Sequence, residues 1–157
     1  MDNLRNIFAR NCECRRIGRE EADAFLSLHH RLGSCRSRYR YGLYTTRCTG
    51  KNEERTQAGT LVAVASFSNA RRWVKGDRLI SSYEWIRYAS LPGIRVTGGM
   101  GKLLNAFIED VHPDDVMSYS DPMSIDGGEA YKKLGFSDEG IVEKPGFVCR
   151  KFRLRFY

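Results

Sequence analysis

Val96-Thr97-Gly98-Gly99-Met100-Gly101-Lys102 stands between a β-rich run that ends near Ser90 and a run with helical spacing, Leu103, Leu104, Phe107, Ile108 and Val111. The first amides of a helix have no intrahelical partner, and the helix dipole makes that end positive. A glycine-rich turn at that point therefore suits a pyrophosphate. Glycine removes the Cβ that would keep the backbone away from the phosphates. Arg95 and Lys102 flank the turn and can add charge, so Arg95 to Lys102 is the candidate phosphate cradle. A turn that serves only packing uses the same residues, and the flanking segments have to decide between the two.

Working outward, the N-terminal side carries no early strand–helix–strand unit, and no G-x-G-x-x-G can be fitted to the loop. Gly-Lys-Ser/Thr is absent as well, which excludes a Walker loop. Upstream, Ala22, Phe25, Leu26, Leu28 and Leu32 predict a helix over Arg19 to Leu32, with Glu20 and Glu21 in its first turn. Tyr41 to Thr46 and Leu61 to Phe67 are rich in β-formers and flank the polar gap Gly50 to Gln57, so they predict an antiparallel pair. Leu79 to Ser90 predicts a third strand, ended by Leu91-Pro92-Gly93. Downstream, the helix from about Gly101 is closed by His112-Pro113. A short strand at Val116 to Tyr119, a short helix at Gly128 to Leu134 ended by Gly135, and a final strand at Phe147 to Phe156 follow. The order is β, α, three strands, α, β, α, β: an α+β fold in one domain, residues 1–157.

The 157 residues are 41% hydrophobic, enough for an ordinary core without metals or disulfides. No apolar run is long enough to span a membrane, and Met1 to Arg5 lacks the apolar block of a signal peptide, so a cytoplasmic protein is expected. Five cysteines, an odd number, are expected to be reduced thiols; Cys12-x-Cys14 beside His29, His30 and Cys35 lacks the usual C-x-x-C spacing of a metal site. The net charge of +7 comes from three clusters: Arg31 to Arg47, Arg71 to Arg78, and Arg150 to Arg155. Such clusters attract nucleic-acid phosphates, a phosphate-bearing cofactor, or nothing beyond solvent.

Strand, glycine loop, helix, strand, and a short helix ending Tyr131-Lys132-Lys133-Leu134-Gly135-Phe136 together resemble the GCN5-related N-acetyltransferase superfamily. The resemblance covers about half the chain. It implies a mixed central sheet flanked by helices and an acyl-CoA cofactor, acetyl-CoA or another. The usual loop is Gln/Arg-x-x-Gly-x-Gly/Ala. Aligning Gly99 and Gly101 to its glycines puts Val96 first, whereas starting from Arg95 puts Met100 last. More narrowly, Ser118-Tyr119-Ser120-Asp121-Pro122, then Gly127, Gly128 and Tyr131, with Phe25-Leu26 and His30-x-x-Gly33, resembles the Mom-type phage DNA-modification proteins and related endonuclease-associated domains. That implies modification of the adenine amino group in DNA and a phage or prophage origin.

Three residues are catalytic candidates. Asp121, at a strand end, could be a general base or metal ligand, or could only cap the turn at Pro122. His30, at the end of the first helix, could relay a proton, or bind iron or zinc with Asp121, or only meet the helix C-terminus. Tyr131 could return a proton to the CoA thiolate, or pack with a tethered hydroxyl. Arg87, Ser118 and Tyr119 are expected at the substrate, with Glu84 pointing to the other face of the strand from Arg87. Arg38, Arg40 and Tyr41, in an alternation of basic and aromatic residues that runs to Arg47, could hold and stack a nucleic acid. The alternative reading is a non-catalytic nucleic-acid-binding module or an ordinary acetyltransferase of small molecules or proteins.

Overall fold

The computed structural model describes residues 5–51, 55–123 and 128–157. They form two compact units, Met1–Ser68 with Ile86–His112, and Asn69–Trp85 with Pro113–Tyr157.

In the first unit, β2 (Cys12–Arg16), β3 (Tyr39–Thr45) and β4 (Leu61–Phe67) form antiparallel neighbours, with β6 (Arg78–Ser90) next in order. Every residue of β4 from Val62 to Phe67 is buried, as a strand covered on both faces requires. β1 (Arg5–Phe8) and β7 (Ile94–Thr97) pair in parallel beside this sheet. The helix α1 (Arg19–His29) buries Ala22, Phe25 and Leu26. Continuing that spacing by one turn reaches His29, whose ring meets Phe25 edge-on at 4.7 Å. Leu28 and Leu32, expected on the apolar stripe, are instead exposed, because Leu28 faces away and the helix ends before Leu32.

The helix α2 (Gly99–Val111) buries Leu103, Leu104 and Phe107. Phe107 stacks on Phe67 at 4.0 Å, and Tyr39 and Tyr41 meet it edge-on. It starts two residues earlier than the periodicity predicts, since Gly98 takes a left-handed conformation (φ 79°) and turns the chain directly into it. His112, also left-handed, ends it ahead of Pro113.

In the second unit the order is β6-β8-β10-β9, where β8 is Asp115–Ser120, β9 Ser137–Lys144 and β10 Phe147–Arg155. β5 (Arg71–Lys75) pairs with the start of β6 as a two-stranded ribbon. β6 and β8 run parallel over Ser82–Glu84 and Asp115–Met117. The short helix α3 (Glu129–Lys133) follows Gly128, where a Cβ would lie 2.2 Å from the Phe152 ring. Gly127 and residues 52–54 of the polar gap fall outside the described residues.

Candidate active site

In the first unit the β7–α2 turn forms an open N-terminus. Its N-cap residue, Gly98, has no side chain with which to cap α2. Alternation along β7 buries Val96 and exposes Arg95 and Thr97. Of the two possible first positions of the loop pattern, only Arg95 therefore offers a side chain to solvent. Gly99 packs so closely that a Cβ would lie 2.9 Å from Val96 Cγ1 and 3.2 Å from the Tyr88 hydroxyl. Lys102 is engaged elsewhere: its ammonium donates to the carbonyls of Ala9 (2.9 Å) and Cys12 (2.5 Å), fastening the helix to the 3-10 turn Ala9–Asn11. Beside this turn, Cys14, Gly98, Gly101, Lys102, Asn105 and Glu109 border a groove of about 510 Å³. Burial raises the Cys14 and Cys12 thiols above their usual range, with Lys102 opposing, so both stay protonated at neutral pH.

His30 caps the C-terminus of α1. Its Nδ1 accepts the Leu32 amide at 2.9 Å. Burial, then Arg87 and Arg31, hold its pKa below the usual histidine range. A neutral imidazole with Nδ1 accepting carries its proton on Nε2, which makes the outer nitrogen a donor. Arg87 holds the same loop from β6: Nε donates to the Gly33 carbonyl at 3.1 Å and Nη1 to that of Ile86.

Tyr41 lies in the core, 3% exposed, and donates to Asp110 Oδ2 at 2.6 Å, which Arg16 also reaches. Burial and this bond raise its pKa far above the phenol range. It presents no face for stacking. Arg40 turns back on Ser37, and the exposed Arg38 lies over Tyr39.

In the second unit Tyr131 is placed by a helix cap. Phe136 N–H bonds the Tyr131 carbonyl, Gly135 N–H bonds that of Lys132, and Gly135 is left-handed (φ 95°). This is a Schellman motif, in which the residue three before the cap packs on the residue two beyond it. Here those residues are Tyr131 and Phe136, rings 5.5 Å apart. Tyr-x-x-x-Gly-Phe is thus a helix stop that locks one tyrosine in place. Trp85 and Phe152 complete the cage around its ring. Its hydroxyl lies 2.9 Å from Ser118 Oγ, and Ser118 donates to the Trp85 carbonyl at 3.1 Å. Ser118 has one proton, and a carbonyl can only accept it, so Tyr131 donates to Ser118. Ser118, expected at the substrate, is 1% exposed and is engaged by the Trp85 carbonyl and Tyr131.

Tyr119 points the opposite way along β8, its ring under Lys144 Nζ at 4.8 Å, its pKa raised by burial and Glu84. Asp121 follows β8 and accepts the Met123 amide at 2.9 Å through Oδ1, an Asx turn. Among the described residues no three of His, Cys, Asp or Glu gather as a metal site.

Solved structures match nearly the whole chain. SpeG, a spermidine/spermine N-acetyltransferase from Vibrio cholerae, gives a TM-score of 0.65 at 10% identity over 94% of each chain. Arabidopsis thaliana NAA60 with acetyl-CoA gives 0.65 at 11%, over 92% of this chain and 98% of that one. The NatC complex bound to Gag peptide and CoA gives 0.64 at 11%, over 94% and 99%. The fold is that of the GCN5-related N-acetyltransferases. No family model matches the sequence, and no curated protein does either.

Tyr88, which spacing along the chain does not single out, stands beside the glycine turn. Burial pushes its pKa up to about 12, and its hydroxyl closes on the start of α2. The alternation along β6 gives Tyr88 no polar signature, and only the close approach of Gly99 reveals it.

Proposed function

We propose that this protein is an acyl-CoA-dependent N-acyltransferase whose acceptor is a base of DNA, adenine foremost. The observation that carries the transferase reading is the uncapped start of α2, opened by left-handed Gly98 and bordered by a groove. Free amides at a helix N-terminus with no Cβ in the way fit a pyrophosphate. Gly98 to Gly101 would hold it through backbone N–H groups, with Arg95 as the available cation. A bound acyl-CoA would supply an acyl thioester.

The chain's own residues then divide the proton work. Tyr131 is the candidate to protonate the leaving thiolate: its hydroxyl, 2.9 Å from Ser118 Oγ, would turn its proton from Ser118 to the sulfur, which leaves as the CoA thiol. Asp121 is the candidate acceptor of the amine proton. A carboxylate at the end of β8 can take a proton, whereas the outer nitrogen of His30 already bears one. His30 and Arg87 hold the loop after α1, and no metal enters this mechanism.

The acceptor rests on the Mom-type resemblance of Ser118 to Pro122 and on the exposed cations Arg71, Arg72 and Lys75, which form no ion pair among the described residues. A second reading, an amine acceptor on a peptide or polyamine, is favoured by the neighbours, one solved with a peptide and one named for spermidine and spermine.

Isothermal titration with acetyl-CoA tests the cofactor: saturable binding is expected, and none at millimolar concentration would sink the transferase. The acceptor is tested by the base composition of DNA from cells expressing the protein or its Asp121→Ala variant. Modified adenine lost in the variant is expected; unmodified adenine in both, with turnover of a peptide or polyamine amine, transfers the assignment to the second reading.

A further inference from the structure

The sequence has three basic clusters, and the fold treats them differently. The cations of β10 are internally neutralised: Arg150 pairs with Asp138, Lys151 and Arg155 with Glu139, and Arg153 with Asp115 and Glu139. Arg40 and Arg47 of the first cluster are also occupied, by Ser37 and Asn11. The middle cluster is presented outward. β5 is exposed at all five residues, Arg71 to Lys75, and turns through Gly76 and Asp77 into Arg78. Among the described residues Arg71, Arg72 and Lys75 form no ion pair, and only Arg78 has an acidic partner, Asp114 at 3.0 Å.

The ribbon is also held stiff. Trp73 Nε1 donates to Ser82 Oγ at 2.8 Å, and its ring meets Tyr157 edge-on at 6.4 Å. Lys75 and Arg78, a cross-strand pair, both lie over the Tyr157 ring, at 4.9 and 5.8 Å. Four cations and one carboxylate in eight residues are thus displayed on a rigid two-stranded element.

We propose that the ribbon Arg71–Ser82 is a docking surface for duplex nucleic acid. A two-stranded ribbon fits the major groove, and arginine matches phosphate and guanine edges bidentately. The exposed cross-strand pair Val74–Leu79 offers apolar contact for thymine methyls and sugars. A bilayer is the poorer partner, since the tip, Lys75-Gly76-Asp77-Arg78, is polar and carries a carboxylate. The proposal deepens the DNA-acceptor reading and rests on it for the acceptor's identity. Binding is measured without acyl-CoA, so failure of the transferase and failure of the ribbon are separate results.

The test is fluorescence anisotropy of a labelled duplex across a salt series, with circular dichroism as the fold check. Arg71→Ser, Arg72→Ser and Lys75→Ser are combined in one variant; Arg36→Ser, Lys51→Ser and Lys133→Ser, equal in charge and equally exposed, form the control. Each lost phosphate contact lowers the slope of log affinity against log salt by about 0.9. The ribbon variant is expected to lose about 2 to 3 from that slope and the control little, while Arg71→Lys with Arg72→Lys keeps it. Equal losses in ribbon variant and control, or no duplex binding by the native protein, would overturn the proposal. Ribbon-dependent binding to phosphatidylserine vesicles without duplex binding would overturn it in favour of a membrane.

Discussion

A methyl group added at Gly99 would press on the buried Val96 at 2.9 Å from Cγ1 and approach the Tyr88 hydroxyl at 3.2 Å. Overpacking of this kind costs about 1–3 kcal/mol. Gly99→Ala is therefore expected to lower the denaturant midpoint, with an unchanged m-value, and to weaken acyl-CoA binding by displacing the first amides of α2. Gly98→Ala meets no close atom, and its cost, about 1–2 kcal/mol, comes from φ 79° alone. Equal stability of both variants and the native protein would contradict this account. His30 makes a prediction in pH. Burial, Arg87 and Arg31 depress its folded pKa below the usual value of 6.5, so below that pH the unfolded chain binds more protons than the folded one. Stability is then complete above about pH 6.5 and declines as pH falls towards the folded pKa. His30→Gln should remove that part of the decline, as read from urea midpoints over pH 5 to 8; identical slopes would refute it.

At the scale of elements, β10 and β8 are joined by more than their ladder. Asp115 is fully buried, and its Oδ2 accepts from Arg153 Nη1 at 2.9 Å and from the Tyr157 hydroxyl at 2.7 Å, while Oδ1 has no hydrogen-bond partner among the described residues. Removing one partner of a buried pair leaves an uncompensated charge, so Arg153→Ala is expected to cost about 3–5 kcal/mol. A midpoint unmoved by Arg153→Ala would mean that the pair contributes nothing. The buried elements were legible in the sequence because burial imposes a period: α1, α2, β3, β4, β6, β8 and β10 all lie where apolar and β-forming residues put them, within a few residues, while α3, which buries none of its residues, was marked by Gly128 and Gly135. The edges were not. β2, β5 and β9 read Cys-Glu-Cys-Arg-Arg, Arg-Arg-Trp-Val-Lys and Ser-Asp-Glu-Gly-Ile-Val-Glu-Lys, sequences that keep a sheet margin charged and so erase the alternation that marks a strand. β1 and β7 are four residues each and pair with one another from opposite ends of the first unit's chain, a match that no local pattern carries. The same limit applies to the site. The glycine turn and Tyr-x-x-x-Gly-Phe are local signals, fixed by backbone conformation, whereas the engagement of Lys102 with Ala9 and Cys12, and of Tyr41 with Asp110, depends on residues 69 to 93 positions away.

For the whole molecule, the net charge of +7 is unevenly available to a small anion, because the C-terminal cations are paired with carboxylates and the Lys102 ammonium is aimed at carbonyls. On the proposed reading a pyrophosphate is recognised by oriented amides more than by charge, and such binding resists salt better than long-range attraction between exposed groups does. The consequence is measurable as ligand-linked stability. A ligand that binds only the folded chain at about 100 times its Kd adds roughly 2.7 kcal/mol. For a protein of this size that is a rise in Tm of roughly 5–10 °C. Acetyl-CoA is expected to raise Tm by that amount at low salt and to retain most of the effect at about 0.3 M salt, outside the Debye length of exposed pairs. On the proposed reading Gly98→Ala should lose the shift, since alanine disfavours the left-handed φ of 79° that opens α2, while the Arg71, Arg72 and Lys75 variant should keep it. A shift that collapses with salt in the native protein, or one that survives Gly98→Ala, would place the cofactor on the charged surface instead of on the amides of α2.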